Sequence, residues 1–327
     1  MLQIIVIFSI NFIITFLAIP LFSKKLRKLG FVGVDVHKKD KPTIPEMGGI
    51  AILTGLIVSI SVGVCLLGEM ALLLKSFLFT ILIAGIIGLV DDIFVLNAKM
   101  KPLLLLLTGL PILIMHTYVP HPILPIVGST RLTFVYPIII PIALSVCSNA
   151  MNMMDPFNGV MSGTSIIATS ALLTSAILLN NKEGMMLSLI LLGSLTPFFY
   201  FNRYPSKVFS GDVGSLTIGA AYGAIAILGR LEVVSIVAFI PQIMNAFYGL
   251  STIGKLYERR EIARPISVLE DGRLAANSDP SAPITLARLI LAKSPLSEKE
   301  AIKIFFVLSL ASSILAIITA LLMLVTI

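Results

Sequence analysis

The stretch GIIGLVDDIFVL, residues 85–96, places two adjacent carboxylates, Asp91 and Asp92, at the end of an almost wholly apolar run. A charged side chain at the centre of a bilayer costs about 2.5–3.5 kcal/mol on insertion scales. Two in succession mark either the mouth of a membrane-crossing helix or a site that uses them. The rest of the chain decides between these.

Of the 327 residues, 57% are hydrophobic and 13% charged, and the mean hydropathy is +1.02. A soluble domain of this length carries about twice that charge. The apolar runs reach roughly the 20 residues that a bilayer requires and recur almost end to end. The expectation is an all-α, polytopic integral membrane protein with ten transmembrane helices, near residues 1–22, 47–68, 72–93, 102–118, 134–152, 160–180, 185–201, 213–229, 232–253 and 303–326. The first run is followed, not preceded, by its basic cluster, and it reads as a retained helix. We expect one membrane-embedded domain over 1–327, with residues 254–302 as a loop insert.

Number the connections between spans in order. The odd ones, with Lys303, hold 20 of the 24 Lys and Arg residues; the even ones hold only Lys75, Arg131, Lys182 and Arg230. The positive-inside rule then puts the odd loops in the cytoplasm and both termini outside. Fourteen of the 17 acids fall on the same side. Acids, bases and amides gathered on one face point to a site there. The net charge of +7 suits anionic headgroups or phosphorylated substrates. No basic helix or aromatic-studded patch favours nucleic acid. Cys65 and Cys147 read as small core residues, and the histidines His37, His116 and His121 are scattered, so a zinc set is not expected.

Each cytoplasmic loop adds something. The first, KKLRKLGFVGVDVHKKDKPTIPEMGGI, opens as a basic membrane anchor. It closes with Pro42 and Pro45 extending the backbone and Glu46 just before Gly48-Gly49. Helix capping is a sufficient reason for Glu46, and ligand contact is another. In the second, DDIFVLNAKMKP, helical neighbours point about 100° apart, so Asp91 and Asp92 cannot share one face equally, and Lys101 stands nearby.

The third, SNAMNMMDPFNGV, sets Asn149, Asn152, Asp155 and Asn158 on a three-residue beat. On a helix the first three share a face. Their oxygens are hard donors suited to Mg²⁺ or to a sugar and its phosphates. In the fourth, SKVFSGDVGSL, Asp212 sits between glycines at a helix start, a seat for a metal-bound phosphate or a plain cap. The last loop, 254–302, carries arginines in YERREIARP. It also holds a hairpin pattern around Asp271-Gly272, an apolar helix in APITLARLILA that suits the membrane surface, and capping-box spacing in Ser297 to Glu300. Acids, amides and cations without a P-loop are equipment for Mg²⁺-assisted phosphoryl transfer.

GLVDDIF, NAMNMMDPFNG and FSGDVGSL, in that order on alternate loops, resemble the signature segments of the polyprenyl-phosphate N-acetylhexosamine-1-phosphate transferases. That superfamily includes the bacterial MraY and WecA enzymes and the eukaryotic dolichyl-phosphate GlcNAc-1-phosphotransferase. Glu46 in IPEMGG, PQIMNAFYGL (241–250) and ITLARLILAKSPLSEKE (284–300) resemble the eukaryotic branch, whereas GDVGSL and Asp155 look bacterial. The mixture suggests an archaeal dolichyl-phosphate enzyme of the cell membrane. The histidine signatures of the bacterial last loop are missing, since 254–302 holds no histidine.

The resemblance implies transfer of GlcNAc-1-phosphate from UDP-GlcNAc to dolichyl or another polyprenyl phosphate, with release of UMP. It implies Mg²⁺, replaceable by Mn²⁺, on Asn152 and Asp212. Asp91, Asp92, Lys101 and Asp155 become the catalytic set, with Asp91 base-like and Asp92 ordering lysine and metal. Glu46, Asn149, Asn158, Arg260 and Arg264 become substrate contacts. Membrane lipids and a second copy of the chain, as a homodimer, complete the expected partners. The alternatives are an undecaprenyl-phosphate transferase of a cell-wall precursor and a proton-coupled transporter. The transporter calls for inverted repeats and broken spans, and no repeat pairs the first five spans with the last five.

Overall fold

A computed structural model describes residues 2–254 and 262–325. Eight of its helices are long and apolar enough to cross a membrane. They are α1 (Leu2–Lys28), α2 (Gly49–Leu66), α3 (Ala71–Phe94), α6 (Tyr136–Met153), α7 (Val160–Leu178), α8 (Lys182–Asn202), α9 (Gly211–Leu228) and α13 (Glu298–Leu324).

The two remaining expected spans are helical but broken. Between Met100 and Ile114, α4 (Met100–Leu105) passes through a 3₁₀ turn at Leu106–Gly109 into α5 (Leu110–Ile114), where Pro111 removes an amide donor. At 1.5 Å per residue this stretch is roughly 22 Å long, short of the about 30 Å hydrocarbon core. Farther on, α10 (Glu232–Ala238) meets α11 (Ile240–Ile253) at an angle of 66°, again beside a proline, Pro241. Among the described residues, the helices long and apolar enough to cross therefore number eight, or nine if the bent pair is one span.

Helix α9 is the axis. Every residue from Val213 to Leu228 is buried, and α9 packs against α2, α3, α6 and α8. Its sequence GDVGSLTIGAAYGAIAIL is rich in Gly, Ala, Ser and Thr. Lipid tails are as apolar as leucine, so helices in a membrane associate through close packing, and small residues permit it. By contrast α1 and α13 stay largely open along their lengths, as helices facing lipid do.

Short strands trim the ends. β1 (Val32–Val34) pairs antiparallel with β2 (Thr43–Pro45), with Gly33 opposite Ile44. Two-residue strands β3 (Ile123–Leu124) and β4 (Gly128–Ser129) pair at the opposite end of the bundle, after α5. In the last loop β5 (Ile266–Val268) pairs with β6 (Leu274–Ala276) around a turn with Gly272 at positive φ, and the six-residue α12 (Leu286–Leu291) follows. Ile266, Leu274, Ala287 and Leu291 pack with Met154, Phe157 and Phe305 into a second small core. The Ser297–Glu300 capping box forms as the spacing predicts and starts α13.

Candidate active site

The site collects at one end of the bundle, where α3 and α6 finish and α9 begins. Its first member is the start of α9. Ser210 precedes the helix, and Gly211 takes φ +66°, a left-handed conformation that costs a residue with a side chain 1–2 kcal/mol. Space forbids one as well: a Cβ on Gly211 would lie 2.7 Å from Asp92 Oδ2 and 2.9 Å from Met47 Cα. The turn leaves the first amides of α9 pointing outward, and Asp92 takes two of them. Its Oδ1 accepts from Asp212 N at 2.7 Å and its Oδ2 from Val213 N at 3.0 Å. Both satisfy orphan donors at the positive end of the helix dipole.

Asp91 points elsewhere, as the 100° step between helical neighbours requires. It is buried; its Oδ1 accepts from Leu96 N at 2.6 Å, closing the end of α3, and its Oδ2 forms an ion pair with Lys101. Lys101 also reaches Asp212 Oδ2 at 2.9 Å. The lysine therefore belongs to Asp91 and Asp212 and not to Asp92, which corrects the expected division of labour. Sequence could not decide this, because the rotation of α3 against α9 selects which aspartate meets which neighbour.

Asp212 Oδ1 accepts from Asn152 Nδ2, and the same Nδ2 lies 3.0 Å from Ser215 Oγ. Asp155 Oδ2 accepts from Ser210 Oγ at 2.8 Å. The third loop is thus stitched to the start of α9 at two points. The three-residue beat does not survive as one face, since α6 ends at Met153. Asn149 donates to Ser145 O within its own helix at 2.8 Å. Asn158 lies in the loop and donates Nδ2 to Asp35 Oδ2 at 2.9 Å, in a neighbouring cluster.

The first loop docks on the same turn. Phe209 N donates to Pro45 O at 2.9 Å, Gly48 N to Phe209 O at 2.8 Å and Gly49 N to Ser210 O at 2.8 Å. Glu46, half-buried, is held in this docked segment, with its own N–H on Phe31 O at 3.1 Å. Arg264 stands exposed before β5, its carbonyl accepting from Asn277 at 2.8 Å, and among the described residues its side chain makes no ion pair or hydrogen bond with Asp212. Arg260 lies outside the described residues.

Reasoning from sequence missed three charged residues. Asp35, Lys38 and Glu298 form a buried group with Asn158: Lys38 Nζ pairs with Asp35 and lies 3.4 Å from Glu298 Oε2, whose Oε1 accepts from Asn158 N at 3.2 Å. Burial would raise the Asp35 carboxyl. The bonds from Lys38 and Asn158 and the lysine charge outweigh it and hold the group below the usual carboxylate range. Burial likewise lowers Lys38, while Asp35 and Glu298 more than restore it and raise it above the ordinary lysine value. Glu298 had a sufficient local reason as a first-turn acid, and residues 260 positions apart leave no local signal of pairing.

What can this arrangement hold? Two carboxylates, Asp91 and Asp212, share Lys101, and a third, Asp92, lies against the amides of the same turn, so acids outnumber cations in the group. Among the described residues no three His, Cys, Asp or Glu side chains converge on one metal position. Mg²⁺ does not need that, because it is held by one or two protein oxygens, waters and substrate phosphates. Asp212, the more open carboxylate with 29% of its side chain exposed against 3% for Asp91, fits such a cation. Asn152 fits if its amide turns, since its Nδ2 now faces Asp212.

The fold and this polar mouth define a multi-pass membrane protein with a charged site at the helix ends. The profile of glycosyl transferase family 4 matches residues 74–230. A Methanocaldococcus jannaschii protein provisionally named a glycosyltransferase is 30% identical over 312 residues, 95% of each chain. The chain belongs to glycosyl transferase family 4, as the three motifs imply. A Saccharolobus solfataricus protein, provisionally named UDP-N-acetylglucosamine–dolichyl-phosphate N-acetylglucosaminephosphotransferase, is 33% identical over 74% of this chain and 76% of its own. The phospho-N-acetylmuramoyl-pentapeptide-transferase of Bacillus licheniformis is 30% identical over 72% of this chain and 79% of its own.

Proposed function

We propose that the protein is a sugar-phosphate transferase that moves GlcNAc-1-phosphate from UDP-GlcNAc to dolichyl phosphate or a related polyprenyl phosphate on the cytoplasmic face of a multi-pass membrane domain. The convergence of Asp91, Asp92, Lys101, Asn152 and Asp212 at the membrane end of the bundle carries this reading. In the reaction a lipid phosphate oxygen attacks the sugar-linked phosphorus. The bond from that phosphorus to the bridging oxygen breaks, and UMP leaves with the electron pair.

The lipid phosphate is largely ionised near neutral pH, its second pKa being about 6, so no covalent aspartyl intermediate is needed. Phosphoryl transfer asks chiefly for positioning and neutralisation of charge. Lys101 supplies a fixed cation, held between Asp91 and Asp212 so that it needs no reorganisation when the diphosphate arrives. Asp92 fixes the start of α9 and with it the position of Asp212. Asp212 and Asn152 would hold Mg²⁺, or Mn²⁺ in its place, which when bound neutralises the donor diphosphate. Asn149, Asn158, Glu46, Arg264 and Arg260 remain proposed substrate contacts, with Asp155 tying its loop to the site.

Purified protein is offered UDP-GlcNAc, UDP-GalNAc and UDP-MurNAc-pentapeptide, each with dolichyl and undecaprenyl phosphate, and the lipid products are identified. GlcNAc-diphospho-dolichol, formed with Mg²⁺, abolished by EDTA and lost in Asp212→Ala, is the expected result. A product from the muramoyl pentapeptide donor alone replaces this reading with the cell-wall one.

A further inference from the structure

Asn158 is 6% exposed and is held twice over by residues from distant parts of the chain. Its side-chain Nδ2 donates to Asp35 Oδ2 at 2.9 Å, and its backbone N donates to Glu298 Oε1 at 3.2 Å. Both acids are nearly inaccessible, Asp35 at 3% and Glu298 at 6%. Lys38 bridges them and stands 4.7 Å from the centroid of the Tyr204 ring. His37 N donates to Asp35 Oδ1 at 3.3 Å, so the remaining carboxylate oxygen is engaged as well. The first loop, the loop after α6 and the first turn of α13 thus meet at one amide.

The chemistry of that contact has a direction. An ionised carboxylate can only accept, so Asn158 must present its NH₂ group to Asp35. A flipped amide would set oxygen against oxygen in a buried site, which is costly. The carbonyl Oδ1 is therefore turned away from Asp35 and is an acceptor, fit for an N–H or O–H of a ligand.

We propose that Asp35, locked by Lys38, is a positioning residue that sets the amide of Asn158 to accept a donor hydrogen from the nucleotide sugar. The inference rests on the transferase reading above and deepens it. Asp35 does not touch substrate; it acts through Asn158. The lowered pKa of Asp35 agrees with a carboxylate that stays ionised, and hence acceptor-only, at neutral pH.

The test is a cycle on the full chain in detergent or bilayer discs, with UDP-GlcNAc as the varied substrate: Asp35→Asn, Asn158→Ala, the pair together, and the exchange Asp35→Asn/Asn158→Asp. Asp35→Asn raises KM for UDP-GlcNAc by roughly tenfold, the size of one hydrogen bond, with kcat within about twofold. Adding it to Asn158→Ala changes KM no further, because residues acting through one another are not additive. The exchange variant, which rebuilds the bond with the charge moved, returns KM to within about threefold of the parent. Inhibition by UMP weakens in parallel if the accepted hydrogen is on the nucleotide and is unchanged if it is on the N-acetyl group.

An Asp35→Asn effect that persists in full on top of Asn158→Ala, or a fall in kcat with KM unchanged, overturns the proposal. If Asp35→Asn does not fold, the exchange variant carries the test, and a folded exchange variant with KM still raised also overturns it. Failure of the parent protein to use any UDP-sugar is visible before any variant is made and rejects the transferase reading instead.

Discussion

Lys101 touches two carboxylates that belong to different helices, Asp91 at the end of α3 and Asp212 at the start of α9. Asp92, on the neighbouring amides of α9, is not its partner. Replacing one member of a buried ion pair costs about 3–5 kcal/mol, because the other charge is left behind. Lys101→Met is therefore expected to lower the melting temperature and to cut UMP-exchange activity by roughly a hundredfold or more, the scale of losing one fixed transition-state charge. Lys101→Met combined with Asp91→Asn should recover part of the stability and none of the activity; independent, additive losses would show that the pair is not coupled. The Asp35–Lys38 pair gives a prediction in pH. Asp35 has a lowered pKa, so its contribution is present above the unfolded value of about 3.9 and is lost as pH falls through the lower folded value. Lys38 has a raised pKa, so its contribution is present below about 10.4 and is lost as pH rises through the higher folded value. Glu298, Asn158 and the His37 amide are the groups that face the pair. The melting temperature of Asp35→Asn should fall short of the parent by a constant amount from about pH 5 to about pH 9, and the gap should close below about pH 4. A gap that widens in acid contradicts the assignment.

At the scale of elements, the approach of α3 to α9 is what brings Asp92 to the amides of Asp212 and Val213. Gly88, one turn before the aspartates, makes that approach possible: a Cβ there would lie 2.5 Å from Asp212 O and 2.6 Å from Val213 Cα. Gly88→Ala must push the two helices apart and open both Asp92 bonds. Activity is expected to fall at least tenfold and the melting temperature to drop with it. Gly68→Ala, where an added Cβ meets nothing within 4 Å, is the matched control and should change neither. How much of this was legible beforehand depends on the range of the interaction. Asp91, Asp92 and Asp212 announced themselves because an acid at the end of an apolar run is conspicuous, and Ser297–Glu300 because a capping box is local. The periodicity argument carried Asn152 to the site, but Asp155 does not share its helical face, because the helix ends at Met153. The breaks at residues 106–109 and 239 sit beside Pro111 and Pro241, while the apolar runs themselves continue through them, so hydropathy alone does not show the bends. The Asp35–Lys38–Glu298 group was invisible, since its partners are separated by most of the chain and each had a local explanation.

For the whole molecule, the segments carrying the site are the ends of α3 and α6, the starts of α9 and α13, and the loop before α2, all of which interlock. Those are the odd connections in sequence order, which hold 20 of the 24 basic residues. Two independent features therefore mark one end of the bundle: the hydrogen-bonded site and the charge excess that governs orientation. If the excess faces the cytoplasm, the site must face it too, and a UDP-sugar, being multiply charged and membrane-impermeant, can be used only from that side. Sealed vesicles test this. In inverted vesicles, with the cytoplasmic face outward, UDP-GlcNAc added outside should be consumed at once, and detergent should increase the rate little. Right-side-out vesicles should be inactive until detergent opens them. Moving charge should move activity with it: removing Lys24, Lys25, Arg27 and Lys28 at the end of α1 weakens the bias by four of its 20 cations, so a fraction of the chains should insert reversed and become active in the right-side-out preparation. Equal activity in both vesicle types before any permeabilisation would separate the site from the basic face and refute the shared orientation.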